Sequence, residues 1–292
     1  MTFKQITIIG TGLIGGSLAL AIKKLKLAQK VVGCDHQPVL QQALRLRAID
    51  VGEAHPEAAI KGSDVVVLAT PVGGIIELVE RIGPLLQPST LLTDVGSTKA
   101  EIMRHAAMVF GASAAERFLP GHPMAGKEHG GIEHADASLF EGAVWIFTPS
   151  ASSKTPAQKN FAALIERIGA KVLWMEAERH DRLCAWISHL PQMVSTAVAT
   201  TLLEEFGASG ELRAIGGRAL RELTRTASSP YSMWRDIAYT NAPNIDEALL
   251  RLEQRLGYIR ENLKTPELRA EFERANLFGK ASKPRRRGDT DK

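Results

Sequence analysis

From Gln5 to Met175 short apolar runs alternate with amphipathic stretches. Gln5 to Ile9 has no simple polar alternation and stops at Gly10, the pattern of a strand buried on both faces. Similar runs predict strands over 30–33, 65–69, 91–93, 117–119, 143–148 and 171–175. Between them, apolar residues at helical spacing predict helices over 13–25, 39–47, 74–82, 99–110 and 156–168. Strands separated by helices of about 10–15 residues imply a parallel sheet built from right-handed crossovers. After Glu176 the pattern changes to helix alone. The stretch 178–206 reads as one long helix interrupted at Pro191, because proline removes a backbone donor. Further helices are predicted over 209–227, 232–239 and 244–264, and Pro266 opens a last one over 267–276. The predicted organisation is an α/β domain over 1–176, an all-helical domain over 177–279 and a tail over 280–292.

Composition changes this picture little. The 292 residues are 45% hydrophobic and 23% charged, which excludes a disordered or fibrous chain. The net charge of +4 invites a polyanion partner until its position is read. From Lys280 onward six cationic side chains meet two acidic ones, which is the whole excess; the preceding residues carry 30 of each sign. The body is balanced, so no nucleic-acid partner is expected, and the basic tail reads as disordered. Cys34 and Cys184 stand in no paired spacing, so neither a disulfide framework nor a metal site is predicted. No apolar run approaches the ~18 residues of a membrane helix, and the N-terminus lacks a signal-peptide core. A cytoplasmic protein with no membrane partner is the expectation.

Candidate chemistry falls where predicted strands end. Gly10-Thr11-Gly12-Leu13-Ile14-Gly15 follows a strand and opens a helix, and Asp35 stands twenty residues after Gly15 at the end of the next strand. That context makes a dinucleotide site: Gly10 for the tight turn, Gly12 for close approach of a pyrophosphate, Gly15 for helix–sheet packing, and Leu13 and Ile14 at the anion-binding helix start. Asp35 would accept from a ribose 2′-hydroxyl, favouring NAD over NADP, although His36 beside it leaves NADP open. Thr70 and Pro71 end another strand and would line the nicotinamide side. Ser97, in Asp94-Val95-Gly96-Ser97-Thr98-Lys99, and His122, in Gly121-His122-Pro123-Met124-Ala125-Gly126, should reach the same rim. A neutral imidazole there can accept a substrate hydroxyl proton. In the helical half, His189-Leu190-Pro191-Gln192 marks either a helix break lining a site or a packed kink. Arg218, Arg221 and Arg225 follow three- and four-residue spacing, so they share one face of the predicted helix; they are either a solvated basic face or, at Arg225, a bidentate carboxylate grip.

Taken together, Gly12-Leu13-Ile14-Gly15-Gly16-Ser17, Asp94-Val95-Gly96-Ser97-Thr98-Lys99, Gly121-His122-Pro123-Met124-Ala125-Gly126, Ser188-His189-Leu190-Pro191 and Met233-Trp234-Arg235-Asp236 resemble the prephenate/arogenate (cyclohexadienyl) dehydrogenases of tyrosine biosynthesis. The resemblance covers residues 3–279. It implies a Rossmann-type parallel-sheet α/β domain followed by an all-α dimerisation domain, a homodimer, and NAD(P)-dependent oxidative decarboxylation of prephenate or arogenate. It further implies that His122 accepts the hydroxyl hydrogen bond, that Ser97 supports the hydroxyl and the nicotinamide, and that Arg225 grips the ring carboxylate. Glu128 and Trp234 would shape the side-chain pocket, His189 and Gln192 would lie on the substrate side, and Arg221 would contribute from the partner subunit. Gln192 stands where some members carry histidine, so any contact there is a hydrogen bond without a switchable charge. Only thirteen residues follow Gly279, so no regulatory domain is expected. Another two-domain dehydrogenase, of the 3-hydroxyacid or imine-reducing kind, shares the architecture, but the catalytic lysine those place in a Gly-rich helix opening is not found. A non-enzymatic NAD-sensing regulator would need a partner-binding element that the balanced body does not offer.

Overall fold

The computed structural model describes residues 2–281 apart from 128, 153 and 209. Glu128 and most of the predicted basic tail, residues 282–292, therefore lie outside the described residues.

The first part runs β1 (Phe3–Ile9), α1 (Leu13–Lys24), β2 (Ala28–Cys34), α2 (Gln37–Arg45), β3 (Val51–Glu53), α3 (Pro56–Ala59), β4 (Val65–Leu68), α4 (Val72–Ile82), β5 (Leu91–Asp94), α5 (Ala100–Phe110), α6 (Ala114–Arg117) and β6 (Phe118–Leu119). The strands form one parallel sheet in the order β3-β2-β1-β4-β5-β6. Side chains alternate across it, as the period of two requires. Ile6, Ile8, Val65 and Val67 enter one core; Ile9, Val66 and Leu68 enter the other, with α4 and α5. Burial on both faces explains the unbroken apolar runs.

The strand–helix alternation predicts one parallel sheet, but the strands divide between two. β7 (Gly121–Pro123), β8 (Val144–Phe147) and, after α7 (Pro156–Arg167), β9 (Lys171–Trp174) form a separate three-stranded sheet. β7 is antiparallel to β8, with His122 opposite Ile146, and β8 is parallel to β9. His122 therefore belongs to a strand and not to a loop. Three residues containing a proline carry too little pattern to announce a strand; pairing with β8 creates it. Trp145, Phe147 and Phe161 are wholly buried behind this sheet. At about 1.5–3 kcal/mol per large apolar side chain, they hold β7 in place strongly. α7 starts on a capping box, Thr155 and Gln158 each satisfying the other's backbone N–H.

The helical elements are α8 (Ala177–Cys184), α9 (Leu190–Phe206), α10 (Gly210–Ile215), α11 (Arg218–Thr224), α12 (Tyr231–Thr240), α13 (Ala242–Glu261) and α14 (Pro266–Ala281). The expected interruption at Pro191 is a π-helical turn over Ala185–His189. Proline cannot donate to the carbonyl four residues back and its ring crowds that carbonyl, so the turn before it widens. The helix expected over 209–227 is broken at Gly216-Gly217 and ends at Thr224.

The chain divides into two compact units between Asn244 and Ile245. The first holds both sheets and the helices through α12. In the second, Arg255 of α13 pairs with Glu271 of α14 at 2.9 Å. No helix among the described residues is long and apolar enough to cross a membrane.

Candidate active site

Among the helices that start at the carboxyl edge of the parallel sheet, α1, α4 and α5 follow the adjacent strands β1, β4 and β5, and each presents free backbone N–H groups there. Two are closed by carboxylates from the helical segment. Asp236 of α12 accepts from Gly73 N at 2.9 Å, at the start of α4. Asp181 of α8 accepts from Lys99 N (2.8 Å) and Ala100 N (2.9 Å), at the start of α5. The start of α1 has no side-chain cap. Gly10 lies at φ +93°, and a Cβ there would stand 2.4 Å from Ala69 O. A Cβ on Gly15 would stand 1.9 Å from Gly10 O, whereas one on Gly12 would meet nothing within 4 Å. The turn is thus packed where strand and helix meet and open where an anion would approach. Asp35 stands beside it: its carboxylate accepts from Thr11 N (2.7 Å), Thr11 Oγ1 (3.2 Å) and His36 N (2.7 Å).

A cleft of about 630 Å³ runs from this edge to the helical segment. Leu13, Ile14, Thr70, Pro71, Ser97, His122 and Arg225 line it, together with Met233. The loop at Ser97 and the strand β7 that carries His122 are locked together by one buried ion pair. Lys99 Nζ pairs with Asp94 Oδ2 and donates to Gly121 O at 2.7 Å. Asp94 accepts from Gly121 N (3.2 Å) and Gly96 N (2.8 Å). Gly121 is therefore held at both its N–H and its carbonyl, and His122 is the next residue. Both side chains of the pair are fully buried. Burial pulls the Lys99 ammonium below its ordinary pKa, and the Asp94 carboxylate opposes that pull.

Behind His122 stands a chain that the sequence did not announce. His122 Nδ1 lies 2.9 Å from His180 Nε2, and His180 Nδ1 lies 2.7 Å from Asp181 Oδ1. Burial, followed by the His180 ring and the Lys99 charge, pushes the His122 pKa well below the usual imidazole value, so it stands neutral at pH 7. His180 and Asp181 are buried neighbours on α8, in no recognisable spacing. An adjacent His-Asp pair near the start of the helical region was the available signal. Cys184 Sγ lies 3.4 Å from His180 Nε2, so three potential metal ligands cluster here. Burial pushes the Cys184 thiol up to about 12, and an ammonium lies close by, both of which favour hydrogen bonding over a cation.

The other predicted residues fall around this cleft. His189, Gln192 and Trp234 lie outside its lining. His189 is buried, its Nδ1 3.1 Å from Asn241 Nδ2, its ring edge-on to Trp234; burial pushes its pKa down to about 4. Gln192 Nε2 donates to Thr226 O at 2.9 Å, holding the turn that carries Arg225. The three arginines do not share a face, because α11 ends at Thr224 and Arg225 begins a 3₁₀ turn. Arg218 pairs with Glu222 at the surface. Arg221 donates to Gly216 O and lines a separate apolar pocket with Leu203 and Leu212. Only Arg225 of the three lines the cleft.

Comparison with known proteins agrees with this geometry. Residues 18–174 match the prephenate dehydrogenase nucleotide-binding domain and residues 176–274 match the prephenate dehydrogenase dimerization domain. The chain is 32% identical over 264 residues to a prephenate dehydrogenase of Bacillus subtilis, covering 88% of this chain and 70% of the relative. It is 30% identical over 239 residues to a prephenate dehydrogenase of Lactococcus lactis, covering 82% of this chain and 65% of the relative. The chain thus spans about two thirds of the length of these relatives. In fold it is similar to the prephenate dehydrogenase of A. aeolicus, solved with hydroxyphenyl propionate and NAD+, at a TM-score of 0.83 and 29% identity, covering 96% of each chain. On these matches, and on a parallel-sheet nucleotide fold joined to helices, the chain belongs to the prephenate dehydrogenase family.

Proposed function

We propose that the protein is an NAD-dependent oxidoreductase that oxidatively decarboxylates prephenate, or its amino analogue arogenate, in the cytoplasm. One observation carries this reading: a single cleft joins the uncapped start of α1 to His122, Ser97 and Arg225. Residues 1–176 serve as the dinucleotide-binding domain and 177–279 as the substrate and dimerisation domain. Gly10, Gly12 and Gly15 form the pyrophosphate turn, with the Leu13 and Ile14 end of α1 facing the anion. Asp35 holds the adenosine ribose and disfavours a 2′-phosphate, which selects NAD over NADP. Thr70, Pro71 and Ser97 border the nicotinamide, which supplies the hydride acceptor when bound.

The chain's own residues orient and deprotonate. Arg225 grips the ring carboxylate through its planar fork. His122 accepts the proton of the ring hydroxyl as carbonyl character develops at that carbon, with Ser97 hydrogen-bonding the same oxygen. A hydride leaves that carbon. The bond to the ring carboxylate then breaks, its electron pair enters the ring, and carbon dioxide departs. His122 returns its proton to the ring oxygen, so none is released overall. His189, Gln192 and Trp234 support the substrate side from behind the lining. By resemblance, Glu128 shapes the side-chain pocket and Arg221 reaches in from a partner subunit. A homodimer is supported by Ile187, Leu203, Phe206, Ile215 and Leu223, apolar side chains that the single chain leaves exposed.

The test is nicotinamide reduction with prephenate and with arogenate, each with NAD and with NADP, on the wild type and on His122→Asn. Prephenate or arogenate turnover with NAD is expected, with kcat lowered about 10²–10⁴-fold in the variant. No turnover of either substrate would overturn the reading.

A further inference from the structure

We propose that His180 and Asp181 are positioning residues that fix the tautomer of His122 and thereby present its Nε2 lone pair to the cleft. This rests on the reading of His122 as the base and adds what makes it one. The argument is a count of hydrogens along the chain. Asp181 is a carboxylate whose two oxygens accept from Lys99 N and Ala100 N, at the N-terminus of α5. A carboxylate donates nothing, so the 2.7 Å contact from His180 Nδ1 to Asp181 Oδ1 requires a hydrogen on that nitrogen. In a neutral ring the other nitrogen, His180 Nε2, then carries a lone pair. It faces His122 Nδ1 at 2.9 Å. Two lone pairs cannot make that contact, so His122 Nδ1 carries the hydrogen. Its Nε2 is left bare, on a residue that lines the cleft.

The same chain prepares the site for the proton it receives. The buried Lys99 ammonium is already paired with Asp94. A proton arriving on His122 Nε2 therefore makes a charge that Asp181 stabilises through His180. Asp181 is itself held rigidly: α5 supplies two amides, and Asn241 Nδ2 donates to its backbone carbonyl at 2.8 Å. The device thus joins α5, α8 and the residue that ends α12 to one ring orientation. A doubly protonated His180 would still donate to Asp181 but would reverse the bond to His122, leaving that ring with a hydrogen on Nε2 and no means of accepting a proton.

Multiple-bond proton–nitrogen correlation on histidine-labelled wild-type enzyme reads both tautomers directly. At pH 8 the expected result is hydrogen on Nδ1 of His122 and on Nδ1 of His180. Hydrogen on His122 Nε2 would overturn the proposal, whatever any variant does. In Asp181→Ala the acceptor that keeps the hydrogen on His180 Nδ1 is gone, so both tautomers of the His180–His122 pair become accessible. The variant should lose about 10²–10⁴-fold in kcat with KM little changed, and its His122 should show a share of the Nε2–H tautomer. A variant with wild-type kcat, or one that loses activity with His122 unchanged in tautomer, would show a merely structural role and sink the idea. Loss of the base assignment itself would appear separately, as full activity in His122→Asn.

Discussion

Replacing Lys99 with methionine tests whether the buried Lys99–Asp94 pair is what fixes the catalytic strand. Neither side chain touches solvent. The variant keeps most of the aliphatic stem but leaves Asp94 as a carboxylate with two amide donors, Gly96 N and Gly121 N, and no cation. Gly121 O loses its lysine donor as well. Breaking a buried pair by removing one partner costs about 3–5 kcal/mol, because the remaining charge is not rehydrated. Asp94→Asn combined with Lys99→Met removes both charges, so the pair variant should be more stable than Lys99→Met alone. Urea unfolding followed by tryptophan fluorescence is the assay, since Trp145 on β8 is wholly buried and faces the β7 residue Pro123 in register. Its midpoint should fall with little change in slope. A loss below about 1 kcal/mol in Lys99→Met, or a pair variant no better than the single one, would refute the reasoning. Because both groups hold Gly121, next to His122, kcat should fall alongside stability.

Arg225→Ala should raise KM for the substrate about 10–100-fold, the worth of a charge-assisted hydrogen bond, while kcat falls less; a pure kcat loss would contradict a carboxylate grip. Asp35→Asn should shift the NADP-to-NAD ratio of kcat/KM upward by at least about tenfold, since carboxylate–phosphate repulsion at ~4 Å is worth ~1–4 kcal/mol; an unchanged ratio removes Asp35 from the cofactor site. His189 titrates near 6.5 when unfolded and at about 4 in the folded chain, so the unfolded state binds more protons between those values. Its contribution is fully present above pH 6.5 and falls away by about 3 kcal/mol as pH drops toward 4. Urea midpoints measured across that window should show His189→Gln losing less stability on acidification than the wild type.

The sequence by itself determined what local chemistry controls. Apolar runs specify strands buried on both faces, and the four elements from β1 to α2 follow from turn residues and periodicity within about fifty residues. The short β3 and α3 that follow have three and four residues, too few to show a period. The glycine turn was legible because its roles are steric: Gly10 and Gly15 answer to backbone neighbours near in sequence or in the sheet, and Gly12 faces open space. Ser97, His122 and Arg225 were legible as residue types at the ends of elements. What brings them to one cleft was not, because it depends on contacts between residues 22 to 163 positions apart. Residues of helices α8 and α12 close the starts of α5 and α4, leaving α1 as the open one of these three, and no local pattern encodes that choice. The second sheet, the strand under His122 and the His180–Asp181 chain arise in the same way. Hydrogen-bond direction in a buried chain is set by its last acceptor, Asp181, and that acceptor meets His122 only when the chain has folded.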